Sequence, residues 1–90
     1  MKTLHLFVEG IVQGVGFRFF VYRIAQQLGI CGWVRNLPDG RVEILAQGKS
    51  THLQEFLKEL RIGPRFAKVT NIEVQEEPDA PILNSFEITY

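Results

Sequence analysis

Hydrophobic spacing in this chain switches repeatedly between a two-residue and a three-to-four-residue period, and the order of those switches limits the fold more than any other feature. Leu4, Leu6 and Val8 alternate with His5, Phe7 and Glu9, which predicts a strand with the first three on its core face. Val21, Ile24, Ala25 and Leu28 then recur at helical spacing, and Gly29 stands where such a helix would stop. Ile30 to Asn36 reads as a short second strand containing Trp33 and Val34. Leu37-Pro38-Asp39-Gly40 is turn chemistry, since proline pre-sets one backbone angle and Asp-Gly tolerates positive φ. Arg41 to Gln47 alternates again, with Val42, Ile44 and Ala46 on one face, so the two strands should form a hairpin.

A second helical stripe follows in Leu53, Phe56, Leu57 and Leu60, ended by Gly63-Pro64. Thr51 and Gln54 stand at capping-box spacing, with Ser50 as a rival cap. A fourth strand covers about Ala67 to Gln75. Its inward parity fits Val69 but shifts to Ile72 and Val74, which predicts a bulge near Thr70-Asn71. After the acidic, proline-bearing loop from Glu76 to Pro81, Phe86, Ile88 and Tyr90 alternate with Glu87 and Thr89 in a last strand. Strand, helix, strand, strand, helix, strand is the ferredoxin-like βαββαβ order. It predicts an α+β sandwich: an antiparallel sheet, two helices on one face, and a short fifth C-terminal strand. Right-handed connections place the first and third strands side by side in the middle. The first strand–helix loop then lies near the hairpin, so that Arg18 and Asn36 face one cavity.

That loop, Gly10-Ile11-Val12-Gln13-Gly14-Val15-Gly16-Phe17-Arg18, carries the chemistry. Gly14 and Gly16 can take backbone angles closed to other residues and turn successive N–H groups into one concavity. The helix start adds unpaired N–H groups and a positive dipole end, and Arg18 adds a fixed charge with five donors. Together they favour a small dianion such as a phosphoryl group. The dinucleotide fingerprint is excluded because Phe19 stands where its third glycine belongs. The Walker loop is excluded because no Gly-Lys followed by Ser or Thr occurs. Asn36 offers both a donor and an acceptor, suited to holding one water against a bound electrophile. On spacing alone, a tight turn with a surface arginine and a plain turn asparagine remain open readings.

Ninety residues, 46% hydrophobic and 22% charged, predict one globular domain over 1–90. Ten basic and ten acidic residues cancel, which disfavours a nucleic-acid partner. Phe7 could imitate a stacking aromatic of an RNA-recognition domain, but Arg41, Glu43, Leu45 and Gln47 on the third strand do not complete that surface. Cys31 is the only cysteine, so no intrachain disulfide is expected and a reducing, cytoplasmic setting fits. No signal peptide or membrane-length apolar run is visible. His5 and His52 share no ligand spacing with Cys31, so no metal or other cofactor is expected. Both histidines read as surface or strand-face residues, and Cys31 as a small filler.

The loop from Gly10 to Arg18 resembles the first signature of the acylphosphatases position by position. Gly32-Trp33-Val34-Arg35-Asn36-Leu37-Pro38-Asp39-Gly40-Arg41-Val42-Glu43 resembles their second, at the right interval. The similarity extends over essentially all 90 residues. It implies metal-free hydrolysis of carboxyl-phosphate anhydrides to a carboxylate and inorganic phosphate, the latter also an inhibitor. It further implies that Gln13, Gly14, Val15, Gly16, Phe17 and Arg18 hold the phosphoryl group, and that Arg18 and Asn36 are catalytic, with Asn36 orienting the water. Phe19-Phe20-Val21 looks more like bacterial or archaeal members than animal ones, which bears on rate and substrate size. The alternative is a non-catalytic module binding phosphate or carbamoyl phosphate, similar to the acylphosphatase-like part of hydrogenase-maturation carbamoyltransferases. Those proteins carry further domains, whereas a chain running from Met1 to a strand at Tyr90 favours a small free-standing enzyme, expected to act as a monomer.

Overall fold

A computed structural model describes residues 1–90. Its elements are β1 (Lys2–Ile11), α1 (Phe17–Leu28), β2 (Cys31–Asn36), β3 (Val42–Gly48), α2 (Ser50–Ile62), β4 (Lys68–Glu76) and β5 (Phe86–Ile88), in the expected order. The sheet runs β4-β1-β3-β2-β5, with β1 and β3 central. The first four strands pair antiparallel, while β5 lies parallel to β2 at the edge and makes the sheet mixed. The ferredoxin-like arrangement therefore holds, with the fifth strand as an added edge.

One apolar cluster joins the helices to the sheet. Val21, Ile24 and Ala25 of α1 and Leu53, Phe56 and Leu60 of α2 meet Leu6, Val8, Val34, Val42, Ile44 and Ala46. Phe56 is fully buried, and truncating it to alanine should cost about 3–5 kcal/mol. Val12 and Phe17, each 1% exposed, belong to the same cluster. They anchor the two ends of the glycine loop, so the loop is suspended between fixed points.

The bulge lies where parity predicted it. Glu9 pairs with Asn71 and Gly10 with Val69, leaving Thr70 as the extra residue. Gly10 has φ 130°, and a Cβ there would sit 2.0 Å from the Lys68 carbonyl oxygen. Three local expectations need correction. The cap of α2 is Lys49, with extended backbone and no side-chain bond, because the helix already begins at Ser50 and places Ser50 and Thr51 inside its first turn. Val74 is 42% exposed rather than core, since β4 is an edge strand with one neighbour. The last strand ends at Ile88, short of Tyr90.

The face of the sheet away from the helices holds a buried acid. Glu43 accepts from Arg35 Nε at 2.6 Å and contacts His5 Nε2 at 2.6 Å. Beside it, the Arg35 guanidinium lies 5.3 Å over the Trp33 ring, and the Phe7 and His5 rings meet at a tilt, 4.7 Å between centroids. Gln47, also buried, ties down the chain leading to β5. Its amide donates to Thr3 Oγ1 and the Pro81 carbonyl, each at 2.9 Å, and its Oε1 accepts from Leu83 N–H at 2.7 Å. That tether carries the C-terminal segment across to the β2 edge, beside the glycine loop.

Candidate active site

Gly14 and Gly16 take φ of 75° and 79°, the left-handed region that favours glycine. A Cβ at either position would meet nothing within 4 Å, so backbone conformation rather than space calls for glycine here. Gly16 is the N-cap of α1 and offers no side chain to cap the helix. The first helical hydrogen bond runs from Phe20 N–H to the Gly16 carbonyl at 3.0 Å, and the N–H groups from Gln13 to Phe19 make no backbone hydrogen bond. Unsatisfied donors clustered at a positive helix end form an anion cradle.

Arg18 sits on the first turn of α1, half-buried, beside that cradle. Its Nη1 donates to the Thr89 carbonyl at 3.1 Å, and its guanidinium lies 4.6 Å over the Tyr90 ring. Thr89 N–H in turn donates to the Val34 carbonyl at 2.8 Å, which fixes the tail to β2. One guanidinium N–H is therefore spent on orientation, and the remainder of its five donors are free of protein partners.

Asn36 ends β2, paired with Val42 across the hairpin. Its Oδ1 is buried and has no hydrogen-bond partner in the protein. Buried amide oxygens are normally satisfied, so this acceptor is an exception, in a residue that lines a cavity. The turn beyond Asn36 is closed by Leu37 N–H to Arg41 O at 2.8 Å and Gly40 N–H to Leu37 O at 3.2 Å. Asp39 stiffens it. The Arg41 N–H, then its side chain, bond the carboxylate and hold its pKa below the ordinary value.

A cavity of about 320 Å³ is lined by Val12, Gly14, Gly16, Phe17, Arg18, Phe19, Asn36, Ile88 and Tyr90. The structure thus brings Gly14, Gly16, Phe17, Arg18 and Asn36 to one cavity. Gln13 and Val15 do not line it. The Gln13 side chain turns to the hairpin, donating to Leu37 O at 2.8 Å and Arg41 O at 2.9 Å, while Val15 packs against the core. Sequence reasoning missed Val12, Phe19, Ile88 and Tyr90 as lining residues. For Phe19 a signal existed, a large apolar residue directly after Arg18, and it is 57% exposed. For Ile88 and Tyr90 no local signal exists, because only the path of the tail brings them there.

Outside the cavity, burial pushes the Glu43 carboxyl up, but the hydrogen bonds from Arg35 and His5 outweigh it and leave the pKa below 4.5. No three His, Cys, Asp or Glu side chains converge as a metal-binding group. No helix is long and apolar enough to cross a membrane.

The family model described as Acylphosphatase matches residues 4–88. An acylphosphatase of Chlorobaculum tepidum is 52% identical over 75 residues, covering 83% of this chain and 82% of that one. The crystal structure of acylphosphatase from Bacillus subtilis aligns at TM-score 0.97 and 44% identity, with 100% of both chains covered. HypF of T.kodakarensis aligns at TM-score 0.88 and 39% identity, covering 99% of this chain but 12% of that one. Agreement in sequence and in shape along nearly its whole length makes this chain an enzyme of the acylphosphatase family.

Proposed function

We propose that the enzyme hydrolyses the carboxyl–phosphate bond of acyl phosphates without a metal ion, releasing a carboxylate and inorganic phosphate. The phosphoryl group rests on the Gln13–Arg18 loop. Its non-bridging oxygens accept from the free backbone N–H groups and from Arg18, whose grip is already set by Thr89 and Tyr90. The Asn36 Oδ1 accepts one hydrogen of the attacking water and aims its oxygen at phosphorus. The new oxygen–phosphorus bond forms as the bond to the acyl oxygen breaks. That oxygen keeps the electron pair and leaves as a carboxylate, while the water proton passes to phosphate or solvent. A leaving group this weakly basic needs no general acid, so positioning and charge stabilisation carry the rate. The acyl part faces the wall made by Phe19, Ile88 and Tyr90.

The observation that carries this reading is that Asn36, whose amide oxygen has no partner in the protein, lines the same cavity as the glycine loop and Arg18. A carbamoyl-phosphate-binding module is the weaker reading, because the likeness to HypF spans only 12% of that chain. The single core cluster supports taking residues 1–90 as one domain; that it acts as a monomer is part of the same proposal. The lone cysteine supports a cytoplasmic setting. The test is release of inorganic phosphate from benzoyl phosphate by the purified protein. Turnover well above the spontaneous rate is expected, and its absence in folded protein would overturn the assignment.

A further inference from the structure

We infer that the Gln13 side chain is not a phosphate ligand but a positioning residue, a brace that holds the asparagine turn at a fixed distance from the phosphate loop. A primary amide nitrogen carries two N–H donors. Both are engaged in Gln13, one on the Leu37 carbonyl at 2.8 Å and one on the Arg41 carbonyl at 2.9 Å. Two carbonyl partners admit only the nitrogen end of the amide, so the orientation is chemically fixed. What remains is Oε1, an acceptor, which cannot attract an anion. The Gln13 side chain could meet phosphate only by giving up the brace.

The two carbonyls it holds are well placed. Leu37 follows Asn36 directly, and Arg41 precedes Val42, the residue paired with Asn36. The brace therefore grips both arms of the turn, and the Arg41 carbonyl already closes that turn by accepting from Leu37 N–H at 2.8 Å. Asn36 Oδ1 has no protein partner to hold it. Its position relative to the loop is set by the backbone of its own turn, and Gln13 is the side chain that bonds this backbone to the loop.

This inference rests on the acyl-phosphate reading for its kinetics but not for its spectroscopy. Gln13→Met keeps the length and removes both donors. Its kcat on benzoyl phosphate should fall about 10- to 100-fold, the scale of a misplaced reacting group, while competitive inhibition by phosphate changes little. In an Asn36→Ala background the same substitution should change kcat by less than about twofold, because the brace then positions nothing. Loss of phosphate affinity in step with kcat, multiplicative effects in the double variant, or unchanged kcat would each overturn the proposal. Should Gln13→Met fail to fold, the unsubstituted protein still decides. On titration with inorganic phosphate, the amide signals of Gly14 and Gly16 should move in the nitrogen–proton NMR spectrum while the two Gln13 side-chain signals stay nearly fixed. Gln13 side-chain shifts as large as those of the glycines would assign it to phosphate. If the unsubstituted protein hydrolyses no benzoyl phosphate, the functional reading fails, and this titration still tells brace from ligand.

Discussion

Arg18 donates a guanidinium N–H to the backbone carbonyl of Thr89 at 3.1 Å, across 71 positions of sequence. The next residue, Tyr90, places its ring 4.6 Å from the same guanidinium although it is 94% exposed. The tail thus serves to aim the arginine. An exposed cation–π contact contributes about 0.5–1 kcal/mol, so Tyr90→Ala should lower kcat/KM about two- to fivefold with the fold intact. Steady-state kinetics beside an unfolding curve check this. Unchanged kinetics would mean that Thr89 alone orients the group.

Removing the arginine itself is a larger change. Arg18→Ala should reduce turnover about 10³- to 10⁵-fold, the range for losing a cation from a transferring phosphoryl group. Arg18→Lys should recover little of it, because an ammonium lacks the planar pair of donors and stacks poorly on Tyr90. Near-normal turnover in a folded Arg18→Ala protein would take this residue out of the site.

Glu43 predicts a pH dependence of stability. Burial raises its pKa, but Arg35 and His5 pull it net below 4.5, so the folded state binds this proton less readily than the unfolded chain. Its contribution is therefore full above pH 4.5 and drains away as pH falls through the lower folded value. Glu43→Gln should cost about 1–3 kcal/mol at neutral pH. The difference from the unsubstituted protein should shrink as the solution is acidified below 4.5. Urea unfolding at a series of pH values measures it, and a difference independent of pH would contradict the assignment.

Much of this arrangement is legible in sequence because its signals are local. The periods of Leu4 to Val8 and Val21 to Leu28 place the loop between a strand and a helix, and Pro38-Asp39-Gly40 places the hairpin. The right-handed crossover then brings Arg18 and Asn36 to one cavity. Other features depend on where distant segments arrive. Nothing near Thr89 or Tyr90 announces that they meet Arg18, since that contact follows from β5 joining β2 and from the Gln47 tether. Strand parity assigns Glu43 to the uncovered face, but not the partners that hold it there, His5 from β1 and Arg35 from β2. The Gln13 brace is hidden for the same reason: the loop pattern shows a glutamine, but not the two carbonyls that the hairpin carries to it.

Chelation should leave activity unchanged. The cradle, Arg18 and Asn36 supply every contact the proposed step uses, and no His, Cys, Asp or Glu cluster offers a metal site. Exhaustive chelator treatment followed by assay is the check, with inorganic phosphate expected to inhibit competitively. Activity lost on chelation and restored by one divalent ion would refute the metal-free step.

In the proposed reaction Asn36 orients the water while the loop and Arg18 hold the phosphate. Asn36→Ala separates these roles. Its kcat on benzoyl phosphate should fall about 10²- to 10³-fold, the cost of one well-placed polar catalytic contact, while the inhibition constant of phosphate stays nearly constant. Unfolding midpoints should show little loss, since Oδ1 holds no protein partner whose bond could be broken. A folded Asn36→Ala enzyme with normal kcat and a raised KM would contradict the claim and reduce Asn36 to a residue of the turn.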